Sequence, residues 1–185
     1  MSDEIKAILD ELRQDHRNMA VLLDLLENET QQVYDEESPD FELMLEIMHY
    51  MTVYPDAVHH PKEDRIYAEL KAARPDLSRG MSKITGEHRA IAEHSVALRD
   101  KLEQINIGDV VRRSDVVADA VRYIDALRKH MNWEESDLFR RIDKMIADGH
   151  TEIDASIIVH RHDPLFGPQV EERFKPVVES ISRME

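Results

Sequence analysis

The 185-residue chain contains no cysteine. That excludes thiolate-held zinc, iron–sulfur clusters and thiol redox chemistry, and it suits a reducing compartment. Any metal here must be held by nitrogen and oxygen. Basic residues are also short, 24 against 39 acidic ones for a net charge of −15, and no basic run offsets the excess. Nucleic acid and other polyanions would be repelled over most of the surface. No stretch of about 18 apolar residues occurs, and the N-terminus, MSDEIKAILDELRQD, is acidic and amphipathic rather than basic and then apolar. No membrane span is expected, and the cytoplasm is the expected location. Nor does any segment alternate with period two, so no strand is expected. The length suits one domain that buries a core without disulfides.

What the chain does have is helical periodicity, in four long segments. In the first, Ile5, Ile8, Leu9, Leu12, Met19, Leu23 and Leu26 form an apolar stripe whose missing member is His16. The second is expected to open at Ser38-Pro39, a cap residue followed by proline. Its stripe runs Phe41, Met44, Met48, Met51, Pro55, His59, Glu63, Ile66, Leu70. Pro55 and Pro61 should bend it near the histidine. The third, starting near Ser78 or Ser82, reads Met81, Ile84, His88, Ile91, Ser95, Leu98, Leu102, Ile105. The fourth, capped by Ser114-Asp115, reads Val116, Ala120, Tyr123, Leu127, His130, Glu134, Leu138, Ile142 and stops before Gly149. Short polar connectors imply an all-α, up-down-up-down four-helix bundle over residues 1–148. Residues 149–185 read as a helical extension packed on it: a short helix, a turn at Asp163-Pro164 and Gly167-Pro168, and a last helix from about Val170 to Ser182.

The polar residues inside these stripes are spaced alike. His16 to His59 is 43 residues and His88 to His130 is 42, while His59–Glu63 and His130–Glu134 are both four apart. The chain is thus an imperfect repeat of one helix pair. Residues four apart share a helix face, so each His-x-x-x-Glu presents both side chains to one centre. An isolated ionised carboxylate in a core costs several kcal/mol or more, and no stripe supplies an inward lysine or arginine. Two buried glutamates therefore need cations. Four nitrogens and two bridging carboxylates describe a dinuclear site with open coordination positions, and such an N/O donor set favours iron over magnesium or calcium.

These motifs, the lone histidine of LRQDHRNM, then HHPKEDRIYAEL, then GEHRAI, then HMNWEESDLF, resemble the hemerythrin-like, HHE cation-binding domain family over residues 5–146. The resemblance implies a hemerythrin-like bundle with a non-haem di-iron site. Carried over by position, the ligands are His16, His59, Glu63, His88, His130 and Glu134, with zinc or manganese as substitutes for iron. The chain departs from the family's oxygen carriers, which place a second histidine four residues after the one on the third helix; here that residue is Ala92, and His94 points away from it. Iron-centre repair relatives often carry a cysteine-bearing N-terminal domain, which this chain lacks.

The expected function is binding or sensing of oxygen, nitric oxide or peroxide in oxidative or nitrosative stress or iron homeostasis, with processing of the ligand as its enzymatic form. The alternative is a metal-responsive module whose iron-dependent folding a partner protein reads. Among the remaining residues, Tyr54, Tyr123 and Trp133 are candidates to stand behind the ligands, with Tyr50 and Tyr67 as further hydrogen-bond donors toward the site. His60, Asp64 and Glu135 read as a solvated flank, the Met44–Met48–Met51 face as core, and His160 to Asp163 as a source of one further nitrogen.

Overall fold

The structure, a computed structural model, describes residues 2–149 and 162–184, with side chains from Glu4 onwards. All of its regular structure is helical, and the described residues include no strand. Leg one is α1 (Ser2–Tyr34). Leg two is α2 (Phe41–Val53), a π-helical turn (Pro55–His59) and α3 (His60–Ala73). Leg three is α4 (Ile84–Asn106). Leg four is α5 (Arg113–Trp133), a second π-helical turn (Glu134–Leu138) and α6 (Phe139–Ala147). α1 packs on α2 and α5, and α4 packs on the same two helices, which closes a four-cornered bundle.

Two apolar clusters fill it. One gathers Ile5, Leu9 and Leu12 of leg one, Ile66 and Leu70 of leg two, Ile84 of leg three and Leu138, Phe139 and Ile142 of leg four. The other gathers the opposite ends: Leu23 and Leu26, Met44 and Met48, Leu98 and Leu102, Ala120 and Leu127. The beginnings of the odd legs therefore meet the ends of the even ones, and the bundle runs up-down-up-down. Met44, Met48 and Met51 are fully buried, as core.

Helix starts differ from the sequence expectation. Asp40, not Ser38, caps α2, its Oδ1 accepting from Leu43 N at 2.9 Å, and Pro39 lies outside the helix. No side chain caps α5, which begins at Arg113; Ser114 Oγ instead lies 3.4 Å from its neighbour Asp115. α4 begins at Ile84, preceded by a 3-10 turn over Met81–Lys83. Gly80 enters that turn at φ +89, and a Cβ there would lie 2.7 Å from Trp133 Cζ2. Gly80→Ala should therefore cost about 1–3 kcal/mol through backbone strain, read as a lower Tm with unchanged metal content.

The expected short helix after Gly149 lies outside the described residues. The expected turn is present: Asp163 Oδ1 accepts from Leu165 N and Phe166 N, both at 2.8 Å. The last helix is shorter than expected, a 3-10 turn (Glu172–Phe174) followed by α7 (Lys175–Ser182). Pro176, with no N–H to give, fits only the first turn of a helix. Leu165, Phe174 and Val177 are buried in the second apolar cluster, so this segment packs on the bundle. Tyr50 Oη donates to Asp163 Oδ2 at 3.0 Å, and Tyr50 meets Phe166 and Phe174 edge-on.

Candidate metal centre

Between the two apolar clusters lies a polar layer to which every leg contributes. Leg one brings His16, leg two His59 and Glu63, leg three His88, and leg four His130 and Glu134; all are buried, both glutamates completely. Glu63 stands at the middle. Its Oε1 is 3.6 Å from His16 Nε2 and 3.3 Å from His59 Nε2, while its Oε2 is 3.4 Å from His88 Nε2. Glu134 Oε2 lies 3.5 Å from His16 Nε2 and 3.3 Å from His130 Nε2. The ligand atoms of His16, His59 and Glu63 lie within 4.8 Å of one another, and so do those of a second group, His60, Glu63, His88 and His130. Glu63 belongs to both. The structure thus brings together all six residues that the sequence singled out.

Behind each of these four rings stands a carboxylate. Asp15 Oδ2 is 2.9 Å from His59 Nδ1, Glu135 Oε1 3.0 Å from His16 Nδ1, Asp64 Oδ1 3.1 Å from His88 Nδ1, and Glu87 Oε2 3.2 Å from His130 Nδ1. Such partners fix a ring's tautomer and aim its other nitrogen at a metal. Asp64 and Glu135, read from sequence as a solvated flank, are only partly exposed, because this contact holds them to the rings. Asp15 and Glu87 were missed altogether. The repeat could have found all four, since Asp15-His16 returns as Glu87-His88 and Glu63-Asp64 as Glu134-Glu135.

His60 also corrects the sequence reading. It is not on a solvated flank but 3% exposed, stacked on His88 with ring centroids 4.4 Å apart. A regular helix would turn His60 about 100° away from His59. The π-helical turn inserts one extra residue, with Tyr54 O accepting from both Val58 N and His59 N, and both histidines then face inward. The second π-helical turn does the same for Leu138 and Phe139, both fully buried, and Phe139 stacks on His16.

Of the aromatic residues, Tyr67 comes nearest the centre. Its hydroxyl donates to Glu134 Oε1 at 2.8 Å and lies 3.4 Å from Glu63 Oε1. Tyr54 Oη lies 3.5 Å from Asp15 Oδ1, one step behind His59. Tyr123 is fully buried and its hydroxyl has no hydrogen-bond partner among the described residues. Trp133 packs against Gly80 and beneath Arg141. In the C-terminal segment His162 Nε2 faces Gln169 O at 2.8 Å, on the surface, and His160 lies outside the described residues.

The donor set fits a cation. His16 Nε2, His59 Nε2, Glu63 Oε2 and Glu134 Oε2 are buried without a hydrogen-bond partner among the described residues. Such orphans cost about 1–3 kcal/mol each, and imidazole with carboxylate suits iron, manganese or zinc. In the metal-free protein the layer holds protons instead. Burial works against a charged His88, yet the Asp64 and Glu63 carboxylates that accept from its ring, with the charges of Glu63 and Glu134, push it up to about 10. His16 and His59 are raised as well, against burial, by Glu134, Glu135 and Glu63 in the first case and by Glu63 and Asp15 in the second. Glu63, despite its burial, is held well below the carboxylate range by His59, His16 and His88. His60 goes the other way: burial takes it down to about 4.

The signs give a test. Ligand histidines must be neutral, so metal uptake at pH 7.5 should release protons, and affinity should rise as pH rises toward 10. A titration in weakly buffered solution with a pH indicator checks this; uptake without proton release would contradict it. In the metal-free protein the raised histidines stabilise fully below about 6.5, and the depressed Glu63 does so above about 4.5. That stability is lost as pH climbs through the raised histidine values or falls through the depressed Glu63 value.

Among the described residues no helix is long and apolar enough to cross a membrane. No curated protein and no solved structure matches the chain. The family model for the hemerythrin HHE cation binding domain matches residues 7–142, a span that includes every side chain of the polar layer. The chain belongs to the hemerythrin HHE cation-binding family.

Proposed function

We propose that the protein is a non-haem di-iron protein that binds a small ligand, oxygen, nitric oxide or peroxide, in oxidative or nitrosative stress or in iron homeostasis. The observation that carries this is Glu63, whose two oxygens face different groups of histidines. One carboxylate with an oxygen toward each of two nitrogen clusters is what a metal pair requires. His16 and His59 would hold one iron and His88 and His130 the other, with Glu63 and Glu134 between them. Iron so held supplies redox chemistry and open coordination positions for a small ligand.

The chain's own residues do the rest. Tyr67 ties down one oxygen of Glu134 and leaves the other toward His16 and His130. Asp15, Asp64, Glu87 and Glu135 hold the rings in register. Phe139 and the apolar clusters on either side keep bulk water out.

The test is iron content per chain, with visible spectra recorded anaerobically and after separate addition of air, nitric oxide and peroxide. Two irons with a spectral response to at least one of the three supports the reading. A di-iron form inert to all three would sink it.

The second reading, a module whose metal state is reported to a partner protein, is favoured by one observation. His59 reaches Asp15, Asp15 reaches Tyr54, Tyr54 stacks on Tyr50 with centroids 5.8 Å apart, and Tyr50 holds Asp163 of the C-terminal segment. Metal-dependent protease protection of that segment, without redox chemistry, would favour this reading over the first.

A further inference from the structure

The side chain the reading above leaves unused is His60. We infer that His60 is a further protein ligand, to the metal that His88 and His130 hold, so that the two metals occupy unequal sites with three and two imidazoles. This deepens the dinuclear reading and rests on it.

The placement comes first. His60 offers a ring nitrogen within the same 4.8 Å group as His88, His130 and an oxygen of Glu63. It stacks on His88 and meets His130 edge-on, with centroids 5.8 Å apart. A purely structural histidine at this depth would be expected to use its polar atoms, because an unmet buried donor or acceptor is costly. Neither nitrogen of His60 has a hydrogen-bond partner among the described residues, although the ring is 3% exposed.

His60 also has a carboxylate on its Nδ1 side, farther off than those of the other four rings and outside hydrogen-bond geometry. Its Nδ1 faces Asp56 Oδ1 at 3.4 Å, and Asp56 is itself anchored by the hydroxyl of Ser95 on α4. Among the described residues of the layer, five rings thus have five carboxylates on the Nδ1 side. That is the outer arrangement of metal-bound imidazoles. The π-helical turn is what makes this possible, since without its extra residue His60 would leave the face that His59 occupies.

The repeat supplies an independent argument for asymmetry. Asp15, His16, His59, Glu63 and Asp64 all recur as their counterparts Glu87, His88, His130, Glu134 and Glu135, but His60 recurs as Met131. One half of a near-twofold centre therefore carries an imidazole that the other half lacks. The metal beside His16 and His59 has the fewer nitrogen donors. Ala92 does not leave the other metal short of nitrogen, because His60 reaches it from leg two.

The experiment loads wild type, His60→Ala and Asp56→Asn with ferrous iron anaerobically and reads iron affinity and the Mössbauer spectrum. Wild type should show two distinct iron sites of equal area. His60→Ala should hold one of its two irons more weakly by at least the roughly 10–100-fold that losing an outer partner costs, and external imidazole should restore it. Asp56→Asn, which only loses a positioning residue, should weaken the same iron about tenfold. Helicity is checked throughout, and His60→Gln, nearer in volume, is read in the same way if His60→Ala does not fold. Two irons of unchanged affinity and unchanged spectrum without the imidazole would overturn the fifth ligand alone. A wild-type chain that takes no second iron would overturn the dinuclear reading itself.

Discussion

Glu63→Ala should strip the protein of both metals, to less than a tenth of the wild-type content per chain by elemental analysis. Among the described residues no other carboxylate turns one oxygen to each nitrogen group, since Glu134 gives its second oxygen to Tyr67. Glu63 is fully buried, and its oxygens stand within 3.6 Å of His16, His59 and His88, which come from three different legs. Removing it takes one donor from each nitrogen group at once, and alanine leaves a cavity where the negative charge balanced the cations. Glu134→Ala should also lose metal, but Glu134 divides its oxygens between the histidines and Tyr67, so Glu63 is the more severe of the two. A Glu63→Ala protein that still holds two metals per chain would show that the six residues converge for another reason.

Chelation should lower Tm by about 8–16 °C. If free metal stands at about a thousand times its dissociation constant, linkage stabilises the folded state by about 4 kcal/mol. For a chain of this length each kcal/mol moves Tm by about 2–4 °C. The structure explains why the binding energy appears as stability: the polar layer lies between two apolar clusters and joins all four legs. Calorimetry with and without chelator, on the same preparation, measures the shift. Coincident transitions would mean that the metal-free layer is already satisfied by its own imidazolium–carboxylate pairs. The module reading would then lose its physical basis, because nothing would be left for metal to fold.

The bundle was legible because each leg carries a long stripe of period 3.6, and the stripes determined which histidines and glutamates turn inward. Helix beginnings were less legible. Ser38 and Ser114 are good capping residues by type, yet Asp40 takes the first role and α5 starts without a side-chain cap. The part of the centre that escaped did so for one reason: the period was carried unbroken through Pro55 and Pro61. Those prolines lack the N–H groups that a regular helix would use there. The chain answers with a widened turn rather than a simple bend, and His60 joins His59 inside while Glu63, Ile66 and Leu70 keep the face the period gave them. At Glu134–Leu138 the same widening occurs with no proline to announce it. The carboxylates behind the rings were hidden differently. Asp15, Asp64, Glu87 and Glu135 each lie next to a ligand in sequence but serve a ring on another leg, so a reading confined to one helix cannot pair them.

The two widened turns also decide where the backbone exchanges its amide protons with solvent. In an ordinary bundle the helix ends open first. Here the hydrogen-bond ladder widens at mid-length in legs two and four, and each widening touches a ligand: His59 ends one turn and Glu134 begins the other. Deuterium should enter the metal-free protein at these interior points as well as at its termini. A bound cation would close both together, and the slowest-exchanging part of the molecule would then lie across its waist.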